Sequence, residues 1–109
     1  MSDPFLSVVI PAYNEALRIG TTLEKVRQYL DSRNFACELI VVDDGSSDET
    51  PEILERFQER HPAVRLLRNE PNRGKGFSVR RGVLEARGEF VLFTDADLSA
   101  PIEETNKLL

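Results

Sequence analysis

The chain has one cysteine, Cys37, and one histidine, His61, in 109 residues. A lone cysteine closes no disulfide within the chain and builds no thiolate metal cluster, so Cys37 reads as a small core residue leading into a strand. A histidine-rich zinc site is excluded. His61 stands against Pro62 at a helix end, which makes a Ser-His-Asp triad improbable. No apolar run approaches the ~18 residues of a membrane-spanning helix, and no basic-then-apolar leader opens the chain. The net charge of −5 gives nucleic acid or an anionic membrane surface no global attraction.

What is present is ordinary for one globular α/β domain, with 40% apolar and 30% charged residues. The charges are segregated. From Glu38 to Glu59 there are eight acids and one base, Arg56, whereas Arg65 to Arg87 holds seven bases and two acids, Glu70 and Glu85. Such segregation suits a site that handles both a metal and a phosphate. The plainer reading is two solvated helix faces of opposite sign.

Strand and helix patterns alternate. The apolar run Leu6 to Ile10, broken by Pro11, reads as a buried strand. Ile19, Leu23, Val26 and Leu30 recur at helical spacing, giving a helix from about Ala16 to Asp31. Glu38 to Val42 is a second buried strand, followed by the acidic turn "DDGSSD". Thr50 and Pro51 fit an N-cap and first helical position, with Ile53, Leu54 and Phe57 as the inner stripe of a helix ending before Pro62. "VRLLR" is a third strand. After the turn formers "NEPNRGKG" a helix carries Val79, Val83 and Ala86 on one face and ends at Gly88. Glu89 to Thr94 is the fourth strand, and Pro101 opens a further helix. Several strands apolar throughout imply a parallel sheet covered on both faces. Right-handed crossovers then gather "PAYNE", "DDGSSD", "NRGKG" and "DADLS" at the carboxyl ends of the strands, where open α/β sheets bind ligands.

Asp95 and Asp97 hold the sharpest chemistry. In extended chain, residues two apart point the same way with α-carbons roughly 6–7 Å apart, so their carboxylates call for a cation. With no cysteine or histidine nearby, a hard oxygen-loving ion such as Mg²⁺ or Mn²⁺ is the natural candidate. The alternative is that both acids solvate the turn before Pro101, a job Ser99 does better. Asp43 and Asp44 repeat the theme, one free to accept from a ligand while the other holds the turn. "NRGKG" meets neither phosphate-loop pattern, since Asn69 and Gly76 break one and Val79 the other. What survives is a lysine and an arginine on flexible backbone at a helix N-terminus, a reasonable anion site.

Together, "SVVIPAYNEALRI", "ELIVVDDGSSDET", "NRGKGFSVRRGV" and "ARGEFVLFTDADLSAPIEE" resemble the family 2 nucleotide-sugar glycosyltransferases. "NRGKG" followed by "DADLS" is most similar to their polyprenyl-phosphate branch, which includes dolichyl-phosphate hexosyltransferases. The resemblance implies a Rossmann-like GT-A fold with sheet order 3-2-1-4 and an inverting, metal-dependent transfer of a hexose from a UDP- or GDP-sugar to a polyprenyl phosphate. Pro11, Ala12, Tyr13 and Glu15 would border the base and ribose of the donor, and Asp43 would accept a hydrogen bond from the base. Lys75 would approach the base or the pyrophosphate. Asp95 and Asp97 would form the DxD pair, Asp95 toward ribose and metal shell, Asp97 on the metal. The resemblance also implies further chain bearing the acceptor pocket and the general base, so residues 1–109 would be the N-terminal donor-binding part and no catalytic base is named. A cytoplasmic location follows, at the cytoplasmic face of a membrane in a longer parent.

Two rival readings stand beside this one. A receiver-type signalling domain shares size, Mg²⁺ and acidic strand ends, but carries its acidic pair after the first strand, where this chain has "PAYNE". A nucleotide-binding or assembly fragment without turnover fits the short chain, and its exposed fourth strand would favour self-association.

Overall fold

The computed structural model describes residues 4–96. Asp97, Ser99 and the helix expected from Pro101 lie outside the described residues. The elements run β1 (Leu6–Ala12), α1 (Ile19–Asp31), β2 (Cys37–Asp43), α2 (Thr50–Arg60), β3 (Arg65–Arg68), α3 (Lys75–Glu85) and β4 (Phe90–Phe93). All pairings are parallel, and the sheet order is β3-β2-β1-β4, as expected.

β1 does not stop at Pro11. Val9 C=O accepts from Thr94 N–H on the β4 side, and Ala12 C=O accepts from Asp44 N–H on the β2 side. Backbone groups alternate sides along a strand, so Pro11 faces the β4 side, beyond the last paired residue Val9. Its missing N–H therefore costs no ladder bond.

The helices also begin later or differently than their apolar spacing suggests. Residues 16–18 form a turn in which Arg18 and Ile19 N–H both donate to Glu15 C=O, and α1 proper starts at Ile19. Thr50 is not the N-cap of α2 but its first residue, after Glu49. Its hydroxyl accepts from Glu15 N–H at 2.9 Å instead, tying two loops together.

The two faces of the sheet are filled unequally. Leu6, Val8, Ile10, Leu39 and Val41 pack with Ile19, Leu23, Val26, Leu54 and Phe57 of α1 and α2 into the main core. Each such side chain contributes about 1.5–3 kcal/mol on full burial. The opposite face is thin: Val9, Ile40 and Val42, with Leu67 and Ala86 against them. α3 buries Ser78 and Gly82 rather than the expected valine stripe, and Val83 is 42% exposed. The reason is closeness. A Cβ on Gly82 would lie 2.3 Å from Val9 Cγ1, so the helix rests its backbone almost on the sheet.

β4 is an edge, and it is far more exposed than its apolar run suggests, with Phe90 at 48% and Phe93 at 53%. At the end of the sheet away from the loops, a half-buried carboxylate joins strands. Glu38 accepts from Ser7 Oγ at 2.6 Å, Arg87 N–H at 2.7 Å and Arg65 Nη1 at 3.2 Å, while Gly88 N–H donates to Ser7 Oγ at 2.8 Å. Burial pushes the Glu38 carboxyl up, but these donors hold it below the usual carboxylate range. Cys37 opens β2 half-buried, with burial raising its thiol. His61 ends α2 with its ring 4.6 Å from that of Phe57.

The closeness of α3 has a direct consequence. Gly82→Ala should destabilise the fold by about 1–3 kcal/mol through overpacking against Val9, although alanine is the better helix former. Gly20→Ala in α1, whose Cβ would meet only Ile53 Cγ2 at 3.9 Å, should stabilise it by up to about 1 kcal/mol. Urea unfolding midpoints of the two variants should move in opposite directions.

Candidate functional site

The four polar loops converge at the carboxyl edge around a cleft of about 520 Å³. β1 and β4 are neighbours here although distant in sequence, so the strand order reverses beside the cleft. Such switch points open a crevice between loops that turn to opposite faces of the sheet.

The first loop is shaped by hydrogen bonds to the second. Asn14 adopts φ of 50°, a left-handed conformation that asparagine tolerates better than most residues. Its N–H donates to Ser46 Oγ at 2.9 Å, and its Oδ1 accepts from Ser47 N–H at 2.8 Å. Ala16 N–H donates to Asp48 Oδ2 at 3.2 Å. This stitching leaves Pro11, Ala12, Tyr13 and Glu15 along one side of the cleft.

Asp43 and Asp44 are both 3% exposed, and they divide the work. Asp43 Oδ1 accepts from Ser46 N–H at 3.1 Å, holding its own turn, and Oδ2 accepts from Arg68 Nη1 at 2.8 Å. Asp44 reaches across to the third loop. Its Oδ1 accepts from Asn69 Nδ2 at 2.9 Å and Arg73 N–H at 2.7 Å, and its Oδ2 from Asn72 Nδ2 at 2.9 Å and Gly74 N–H at 2.8 Å. Burial raises the Asp44 carboxyl, but the Arg73, Asn69 and Gly74 donors outweigh it and the carboxyl lies below its ordinary range. Gly45, at φ of 70°, permits the approach, since a Cβ there would lie 2.7 Å from Asn72 N.

Part of the backbone expected to serve an anion before α3 is therefore already in use. Two loop amides that a phosphate could have taken, those of Arg73 and Gly74, are bound by a carboxylate of the protein itself. What this end of α3 offers the cleft is the side chain of Lys75, which donates to Asp95 Oδ1 across it. Thr22 of α1 holds the next residue through its Ala96 carbonyl, which fixes the chain just past β4.

Of the residues singled out from sequence, Pro11, Ala12, Tyr13, Glu15, Asp44, Lys75 and Asp95 line this cleft together. Asp43 is buried and not among the lining residues, and Asp97 lies outside the described residues. Among the described residues no three acidic, histidine or cysteine side chains cluster closely enough to hold a metal. The sequence reading missed Asn72, Ser78 and Ala96 as lining residues and Asn69 and Thr22 as supports. Only the adjacency of β2 and β3 reveals what anchors Asn72 and Ser78, because Asp44 and Asn69 are 25 positions apart.

The family model described as glycosyl transferase family 2 matches residues 7–109. A dolichyl-phosphate beta-glucosyltransferase of Trichomonas vaginalis is 42% identical over 98% of this chain and 33% of its own length. The enzyme of the same description from Saccharomyces cerevisiae is 39% identical over 96% of the chain and 33% of its own length. The chain thus spans about a third of the curated relatives it matches. Among solved structures, a mannosyltransferase from Pyrobaculum calidifontis in complex with GDP-Man and Mn²⁺ superposes with a TM-score of 0.79 at 32% identity, over 97% of this chain and 31% of that one. Residues 1–349 of TarS from S. aureus, in complex with UDP-GlcNAc, superpose with a TM-score of 0.73 at 32% identity, over 85% and 26% of the two chains. The sheet order and these neighbours make the fold the Rossmann-like GT-A type.

Asp44 is the residue whose loss should disturb the site most. Asp44→Asn turns an NH₂ group toward donors, and should cost about 2–4 kcal/mol and raise hydrogen exchange at residues 72–74. Because the folded carboxyl lies below its unfolded value of 3.8, its stabilisation is complete above about pH 5 and lost as pH falls through the lower folded value. Urea unfolding across that window should show a shallower acid slope in Asp44→Asn than in the wild type.

Proposed function

The chain belongs to glycosyl transferase family 2, and from that premise we propose that its carboxyl-edge cleft binds the nucleotide-sugar donor of a hexosyltransferase. The whole protein would transfer the hexose from a UDP- or GDP-sugar to a polyprenyl phosphate, with inversion at the anomeric carbon. The observation that supports this reading most is the convergence of Pro11, Ala12, Tyr13, Glu15, Lys75 and Asp95 on one cleft at the β1/β4 switch point. The structural neighbour with GDP-Man and Mn²⁺ and the dolichyl-phosphate relatives support donor and acceptor classes respectively.

In this reading Pro11, Ala12, Tyr13 and Glu15 border base and ribose. Asp43 accepts from the base. A carboxylate has roughly four acceptor positions. The Ser46 and Arg68 donors account for two of those on Asp43. The cleft is suited to a cation: Asp95 presents a carboxylate there and has gathered an ammonium group as stand-in. Asp95 and Asp97 would hold a divalent ion, Mg²⁺ or Mn²⁺, which supplies positive charge to a leaving diphosphate. Lys75 adds a second positive charge at the cleft. Asp44, in the wall of the same cleft, holds the loop that leads into Lys75 in place.

A lipid-phosphate acceptor would place the reaction at the cytoplasmic face of a membrane. Among the described residues no helix is long and apolar enough to cross one. The exposed β4 edge, with Phe90 and Phe93 half exposed, favours pairing with a second copy of the chain.

Calorimetric titration with UDP and GDP, with and without Mn²⁺, tests the donor site. One nucleotide should bind in a metal-dependent manner, and Asp97→Ala should weaken it at least tenfold. Failure of both nucleotides to bind a folded chain in the presence of Mn²⁺ would sink the reading for this chain. Sedimentation at rising concentration should show a dimer, whereas a strict monomer removes the edge-pairing proposal.

A further inference from the structure

An ion pair crosses the cleft. Lys75, the first residue of α3, donates from Nζ to Asp95 Oδ1, two residues past β4, and the two side chains are 58% and 38% exposed. Lys75 is the one cation among the described residues that line the cleft. Resting on the donor-site reading above, we propose that Lys75 is an internal competitor of the divalent cation. In the ligand-free protein it occupies Asp95, and an incoming diphosphate draws it off, so metal and nucleotide bind cooperatively through this lysine.

The electrostatics require a choice. An ammonium in hydrogen-bonding contact with a carboxylate oxygen and a divalent ion on the same carboxylate repel strongly at such short range. A diphosphate reverses the balance, because it offers the ammonium a more negative partner and adds acceptors for the metal. The pair is also built to exchange. It is half exposed, which makes it weak, and lysine carries its charge on a flexible four-carbon stem. Gly74 and Gly76 flank it, and a Cβ on either would meet nothing within 4 Å, so the space beside Lys75 is open.

The backbone underneath does not share this freedom. Arg73 and Gly74 N–H are bound to Asp44, and Ser78 N–H donates to Gly74 C=O at 3.1 Å. The exchange is therefore confined to a side chain on a pinned helix start. The same two bonds take the Arg73 and Gly74 amides from any phosphate, and the Lys75 ammonium is the cation of the cleft that a diphosphate can recruit. Coupling of this kind is reciprocal: whatever factor the nucleotide adds to metal affinity, the metal adds to nucleotide affinity.

The test measures Mn²⁺ binding directly, by the paramagnetic resonance signal of free Mn²⁺, first alone and then with UDP and with GDP. Lys75→Met should bind Mn²⁺ alone about three- to tenfold more tightly than the wild type, an effect that salt reduces. The factor by which nucleotide tightens Mn²⁺ should shrink correspondingly. Lys75→Arg keeps the charge and should stay close to wild type, and in an Asp95→Ala background Lys75→Met should have under about a twofold effect. If wild-type protein binds Mn²⁺ with nucleotide but Lys75→Met leaves the affinity for Mn²⁺ alone unchanged or weaker, the competition is overturned while the donor site stands. If the wild type shows no Mn²⁺-dependent nucleotide binding at all, both fall together.

Discussion

The site depends on one buried carboxylate in the wall of the cleft. Asp44 leaves the end of β2 and accepts from two side-chain amides and two backbone amides of the neighbouring loop. Four donors around two oxygens can offset the cost of desolvating the charge, and the lowered carboxyl is the mark of that balance. Everything on the β3–α3 side of the cleft follows from it. Loop 69–74 has its course set, α3 starts at Lys75, and the Lys75 ammonium comes within reach of Asp95. Asn69 extends the same network inward by donating to Ser78 Oγ at 2.9 Å, which ties the loop to the buried face of the helix.

The segregation of charge along the sequence has its explanation in the parallel pairing of β2 with β3. The acidic stretch leaving β2 and the basic stretch that begins at β3 become neighbours, and their charges meet. Asp43 pairs with Arg68 at one end of the two strands, and Glu38 with Arg65 at the other. Neither a single site for metal and phosphate nor two solvated faces describes this fully. Much of the opposite charge is spent on holding the sheet and its loops; from the two stretches Asp44 and Lys75 line the cleft, and Lys75 pairs there with Asp95 from beyond them.

The helix packing serves the same end. A thick core of leucine, isoleucine, valine and phenylalanine side chains fixes α1 and α2 on one face, and a bare backbone contact at Gly82 sets α3 on the other. A helix held at that distance cannot drift far from the strand edge, so its first residue stays over the β1 terminus. α1 contributes from the far side through Thr22, which holds the carbonyl of Ala96. The cleft is thus bounded by elements that are each fixed elsewhere.

The amino-acid order alone determined the alternation of strands and helices, the collection of polar loops at one edge, and seven of the residues that line the cleft. These follow from local rules: apolar period, turn formers and the fixed hand of the crossovers. It also carried enough motif to indicate the family. Tertiary structure decided the rest, because the deciding partners are remote in sequence. Pro11 continues β1 only because β4 has ended beside it, and Val83 of α3 turns outward while Gly82 meets Val9. Thr50 gives up capping for Glu15, and Asp44 rather than a phosphate takes the amides before α3. A hydrogen bond or a close packing contact is set by angstroms between chains, and no spacing along one chain records that distance.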